Sequence, residues 1–296
     1  MKKLMFIVNP VAGRMMYKGG LGEALRILSD GGYLPTVYFT NGAGDAATLV
    51  RDNSSDYDLI CCMGGDGTLS EVVSGLLNIE NAPPIGYFPL GTANDVATTL
   101  GIPKNNPAEV AKRVLEGKPM PWDVGVSCSS RSFTYVAAFG AFTDVSYETP
   151  QESKQALGHL AYMLEGLNRI PRLPKYKTRV IFDDKEELED DFIFGGVTNS
   201  TSVAGFIKLN RDLVKLDDGK FEVALVKYPM SLTDVNLLVS EVLSQNYSGD
   251  YFKIIQASKV RFIFEEDVPW THDGEDGGTY KDVTFSNIPG AVKIIA

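Results

Sequence analysis

The sequence has no run of about 18 apolar residues, the length at which a helix can span a bilayer, so no transmembrane helix is expected. Cysteine is scarce: Cys61, Cys62 and Cys128 are the three in 296 residues, and no CxxC pair occurs. Neighbours such as Cys61 and Cys62 point to opposite faces of a strand, so core thiols in a reducing cytosol are expected rather than metal or redox chemistry. With only His159 and His272, and no G-x-S-x-G, a hydrolase triad has little to work with. His159 lies in a helical stretch and reads as structural. The P-loop pattern GxxxxGK[ST] is missing, as are internal repeats and low-complexity linkers. The formal net charge is −10, which argues against general nucleic-acid binding and broad adsorption to anionic lipid. The opening MKKLMFIVNPVAG lacks a small-residue cleavage site and reads as a first strand rather than a signal peptide.

What is present is a core-forming composition, 44% hydrophobic, in a chain long enough for two domains of roughly 100–200 residues. In the first part, apolar runs at residues 4–8, 36–40, 59–63 and 85–88 are each followed by a glycine-bearing loop and a helical pattern. That alternation predicts an α/β domain, a parallel sheet with flanking helices. Beyond PMPWDVGV at 119–126, β-type runs at 133–137, 178–182, 192–197, 221–227, 260–264 and 283–285 predict an antiparallel, all-β sandwich-like domain. One helical stretch, 151–167, interrupts them. The run DDKEELEDD at 183–191 holds seven acids and one lysine, and reads as a solvated hairpin tip.

The stretch DYDLICCMGGDGTLSEVVSGL poses the functional question. Leu69, Val72, Val73, Leu76 and Leu77 share one helical face. Thr68 and Glu71 fit a capping box, which would start the helix there. Gly64, Gly65 and Gly67 would let backbone donors approach a phosphate at the positive end of that helix. Asp66 would repel phosphate unless it holds Mg²⁺ or takes a proton from a hydroxyl, both of which belong to phosphoryl transfer. A tight turn with a capping aspartate is the plainer alternative. NPVAG at 9–13, Thr40 with Asn41-Gly42, and PLGTAND at 89–95 follow the other strands, and ligands of such sheets bind at strand carboxyl ends. GAGDAA at 42–47 matches a dinucleotide fingerprint, but it follows the second strand and lacks the acidic residue a ribose needs. The late segment PWTHDGEDGGTY (269–280) taken alone reads as an acidic turn.

GGDGT, NP-x-x-G, GTAND and the late DGE together resemble the diacylglycerol kinase family of lipid kinases, over essentially the whole chain and closest to its soluble bacterial members. FGAFTDVSYETPQESKQALGHLAYMLEG (139–166) looks like the segment opening that family's lipid-binding domain. KLDDGKFEV (215–223) looks like its loop for a structural Mg²⁺. The resemblance implies a nucleotide-binding domain at 1–122 with 286–296 returning to it, a lipid-substrate domain at 123–285, and an active site in the cleft between them. It implies ATP contacts from Asn9, Pro10, Val11, Ala12, Gly13 and Thr40, from Gly64, Gly65, Asp66, Gly67, Thr68, Leu69 and Ser70, and from Thr92. It implies Glu275 as general base, with Asp66 and Asp273 organising catalytic Mg²⁺ and the phosphates. Asp218 and the carbonyls of Lys215 and Lys220 would hold the structural ion. Relatives often carry an aromatic residue where this chain has Lys220, a change that a carbonyl ligand tolerates.

The activity implied is transfer of the γ-phosphate of ATP to the hydroxyl of diacylglycerol or a related lipid, giving phosphatidic acid. The enzyme would be cytoplasmic, reach its membrane substrate by transient surface contact, and could form a homodimer. Two alternatives stay open: a kinase of a soluble alcohol, since NAD kinases also use GGDG, and a catalytically silent nucleotide- or lipid-binding protein.

Overall fold

A computed structural model describes residues 1–13, 19–91, 94–129, 131–141, 174–203, 207–210 and 212–296. The helix expected at 151–167, with His159, lies outside the described residues. The chain divides into two compact units, Met1–Asp123 with Pro289–Ala296, and Val124–Ile288.

In the first unit, β1 (Lys2–Val8), β2 (Tyr33–Phe39), β3 (Leu59–Gly64) and β4 (Ile85–Pro89) pair in parallel in the order β4-β3-β1-β2. The end of β15 (Glu275–Ile295) adds beside β4, with Ile294 opposite Ile85. The connections carry α1 (Leu21–Asp30), α2 (Asp45–Asn53), α3 (Asp66–Leu76), α4 (Asp95–Leu100) and α5 (Pro107–Glu116). Every residue of β3 is buried, as a parallel strand covered on both faces requires. Burial pushes the thiols of Cys61 and Cys62 up, which leaves them protonated and inert. Cys128 departs from the core-thiol expectation, because it is exposed. Leu69, Val72, Val73 and Leu76 form the buried face of α3. Parallel pairing sends the loops after β1, β2, β3 and β4 to one edge.

The second unit is built from antiparallel pairs. Its strands begin with β5 (Met120–Ser127), shared across the division, then β6 (Ser132–Phe133), β7 (Val136–Gly140), β8 (Tyr176–Phe182) and β9 (Glu186–Thr198). The small pair β10 (Ser202–Val203) and β11 (Ile207–Lys208) precedes β12 (Phe221–Lys227), β13 (Phe252–Ala257) and β14 (Lys259–His272). The long β9 pairs first with β8 and then with β7 and β12. Likewise β14 pairs first with β8 and then with β7. Thus β7, β9, β8 and β14 close a hydrogen-bonded circuit, in place of the two separate sheets of a simple sandwich. Strands long enough to switch partner midway make this possible. The core between them is aromatic: Phe139 and Phe285 both lie within 5 Å of the Trp270 ring centre, at 4.9 and 4.7 Å.

Two features of this unit correct the sequence reading. The acidic run is a hairpin tip only at its start, where Asp183 and Asp184 have positive φ; from Glu186 it is strand. Cations across the ladder make that tolerable, with Arg179 on Glu187 and Lys227 on Asp190. A helix, α6 (Leu232–Leu243), also appears where none was expected, started by a capping box of Ser231 and Asp234. Buried Glu241 in α6 accepts the N–H groups of Asp250, Tyr251 and Phe252. No helix among the described residues is long and apolar enough to cross a membrane.

Candidate active site

At the loop edge of the first unit, backbone and side chains lock the strand ends together. The N–H of Asn9 donates to Met63 O, and its side-chain Nδ2 donates to Thr68 Oγ1 at 2.9 Å. Asn9 Oδ1 accepts the N–H of Val11, which folds the Asn9–Gly13 loop over. The N–H of Leu90 donates to Gly64 O at 2.8 Å. The loops after β3 and β4 approach so closely that a Cβ on Gly91 would lie 2.7 Å from Gly65 Cα. Glycine is required there by contact. Thr40 follows β2, buried, with its N–H on Val8 O. Thr92 lies outside the described residues.

The starts of α2, α3 and α4 follow from the loops at this edge. Glu71 of α3 accepts the N–H groups of Gly44 and Ala46 at 2.8 and 3.0 Å, closing the start of α2. This corrects the capping box expected between Thr68 and Glu71. It also occupies donors that a pyrophosphate would need at the GAGDAA motif, so that motif is no dinucleotide site. Asp66 closes the start of α4: Oδ2 accepts the N–H of Asp95 at 2.9 Å, and Oδ1 those of Val96 and the Tyr87 hydroxyl at 3.4 Å. The start of α3 has Gly65 as N-cap, which leaves room for a ligand to approach the backbone. The positive end of that helix is the one presented to an anion. Leu69 turns its side chain into the core, and its N–H bonds Gly65 O.

Sequence reasoning gave no role to two further acids of this unit, the half-buried Asp95 and the buried Asp123. Burial raises the carboxyl of Asp95 above its ordinary range, with Lys104 opposing. Asp123 is fully buried and accepts the N–H of Gly290 at 2.7 Å, pinning the returning strand. Asp95 ends the GTAND motif, and that position was the available signal.

In the second unit, Asp273 and Gly274 connect β14 to β15 with φ values of 51° and 82°, the left-handed pair typical of an Asp-Gly hairpin turn. Asp273 Oδ2 accepts from Thr134 N and Oγ1, while Oδ1 accepts from Tyr135 N and Val136 N, all at 2.7–3.1 Å. A carboxylate so committed fastens the turn that carries Glu275. Glu275 is exposed at the first position of β15, opposite His272. His272 is buried against Phe133 and Phe285, and burial lowers its pKa to about 4, with Arg131 adding to the effect.

The loop before β12 holds Lys215, Asp218 and Lys220. Asp218 Oδ1 accepts the N–H of Lys220 at 3.0 Å across Gly219. Beyond it, burial pushes the carboxyl of Glu222 up to about 8, the bond from Gln256 opposing and the Asp218 charge adding. Among the described residues, no three His, Cys, Asp or Glu side chains are grouped to hold a metal.

Comparison with known proteins gives a consistent result. The family described as "Diacylglycerol kinase catalytic domain" matches residues 3–127. The chain is 32% identical to the diacylglycerol kinase of Bacillus subtilis (strain 168), covering 94% of this chain and 91% of that one. It is 33% identical to the diacylglycerol kinase of Staphylococcus aureus (strain Newman), covering 100% and 92%. A crystal structure of a Bacillus anthracis str. Sterne protein assigned as a diacylglycerol kinase superposes with a TM-score of 0.79 at 26% identity, covering 99% and 97%.

Proposed function

This chain belongs to the diacylglycerol kinase family, and we propose from that premise how its residues divide the work of a lipid kinase. The enzyme phosphorylates the free hydroxyl of diacylglycerol, with ATP as donor and phosphatidic acid as product. The observation that carries the site is the meeting of the loops after β1, β3 and β4 at the start of α3, where Asn9 Nδ2 reaches Thr68 Oγ1 and Gly91 abuts Gly65. The triphosphate belongs at α3, with the Asn9–Gly13 loop beside it.

In the reaction, the lipid hydroxyl oxygen bonds to the γ-phosphorus as the bond to the ADP oxygen breaks. The proton leaves to the Glu275 carboxylate. An alcohol is a far weaker acid than a carboxylic acid, so that transfer comes late, and orientation with charge stabilisation supplies most of the acceleration. Asp273 acts on this step only through Glu275, by fixing the turn that carries it.

Two Mg²⁺ sites fit the residues. At the first, Asp66 accepts the backbone N–H of Asp95, and desolvation raises the Asp95 carboxyl against the opposing charge of Lys104, so a cation there would favour its charged form. A Mg²⁺ held there would neutralise phosphate charge. Asp218 and the carbonyls of Lys215 and Lys220 form the second, a hard-oxygen set suited to the same ion. The enzyme would work from the cytoplasm, docking transiently on the membrane that holds its substrate.

Purified full-length protein with Mg²⁺ and ATP labelled on the γ-phosphate tests the assignment. Label should appear in phosphatidic acid when diacylglycerol is supplied. Label only in a soluble acceptor such as NAD would overturn it.

A further inference from the structure

Glu222 is the second residue of β12, lying between Thr198 of β9 and Gln256 of β13. It is 0% exposed. Gln256 Nε2 donates to Glu222 Oε1 at 3.1 Å and to Leu213 O at 3.0 Å, which ties the start of the 213–220 loop to this carboxylate. Glu222 Oε2 has no hydrogen-bond partner. The hydroxyl opposite, on Thr198, is spent on Tyr135 O at 2.6 Å.

A buried carboxyl oxygen without a donor is costly. Asp218 lies four residues earlier, across the Gly219 turn, where its Oδ1 accepts the N–H of Lys220 at 3.0 Å and leaves a second carboxylate beside the start of β12. A positive charge brought to Oε2 satisfies both groups at once.

We propose that Glu222 supplies a second carboxylate to the divalent-cation site formed by Asp218 and the carbonyl oxygens of Lys215 and Lys220. This rests on the second Mg²⁺ site assigned above and extends it from one carboxylate to two. Hard divalent cations take such oxygen sets, and each added carboxylate strengthens binding through its charge. Gln256 is then a positioning residue that holds Glu222 by its other oxygen.

The test uses full-length protein stripped with EDTA, titrated with Mn²⁺ without nucleotide and followed by the electron paramagnetic resonance of free Mn²⁺. Asp218→Ala should lower the number of bound ions by one. Glu222→Gln, nearly the same size and uncharged, should bind that ion at least about tenfold more weakly. Melting gives an independent readout: Glu222→Gln should match or exceed the wild type in EDTA and fall below it in excess Mg²⁺. Wild-type affinity in Glu222→Gln, or an unchanged ion count in Asp218→Ala, overturns the proposal. The kinase assignment fails separately, through missing label in phosphatidic acid.

Discussion

Asp66 accepts the backbone N–H of Asp95 at 2.9 Å, joining the GGDG loop to the start of α4 across 29 residues of sequence. One carboxylate thereby shapes the edge proposed to bind phosphate and stands at it.

That double duty predicts a double phenotype. Asp66→Ala should abolish measurable turnover. It should also destabilise the protein by about 1–3 kcal/mol, the cost of leaving buried donors unmatched. Kinetics and thermal melting on one preparation check this, and a variant with wild-type stability would refute the capping role.

Asp273 should behave differently. Removing its carboxylate in Asp273→Ala strands the N–H groups of Thr134, Tyr135 and Val136. A stability loss of several kcal/mol is expected, since bonds to a charged acceptor are worth about 1.5–3 kcal/mol each and are not additive. Below the melting transition, the affinity for ATP should be unchanged. A stable Asp273→Ala protein would return this residue to a direct catalytic role.

Glu71 provides a control at the same edge. Glu71→Ala removes the acceptor for Gly44 and Ala46. A loss of about 1 kcal/mol, typical of a helix cap, should appear in denaturant unfolding. A neutral effect would show that the start of α2 is solvated instead.

His272 sets a pH dependence. Its pKa falls from 6.5 to about 4 on folding. The unfolded chain therefore binds the proton more readily, and stability present above pH 6.5 is lost as the pH falls towards 4. The contribution is up to about 3 kcal/mol, at 1.36 kcal/mol per unit. In His272→Leu, the decline in melting temperature over that window should be shallower than in the wild type. Parallel curves would contradict the buried neutral imidazole.

What could be read from sequence was local. Leu69, Val72, Val73 and Leu76 repeat with helical period, and glycine clusters after β-type runs mark turns wherever they occur. Partnerships across the chain left no such trace. Glu71 looked like a cap for its own helix because Thr68 stood three residues away, yet its carboxylate reaches Gly44, 27 residues upstream. Asp273 lies 137–139 residues from the groups that bond it, so nothing local distinguished a fastener from a reactive acid. β14 continues through charged residues and Pro269, which interrupt any strand pattern. α6 starts at a capping pair, Ser231 and Asp234, set in an apolar stretch that resembles the neighbouring strands.

The most direct test is transfer of labelled phosphate from ATP to diacylglycerol, comparing wild type with Glu275→Gln. Glu275→Gln should lower kcat by about 10²–10⁴, the range of general-base catalysis, while KM for ATP stays constant. Wild-type turnover in Glu275→Gln, or no labelled phosphatidic acid from the wild type, would contradict the account.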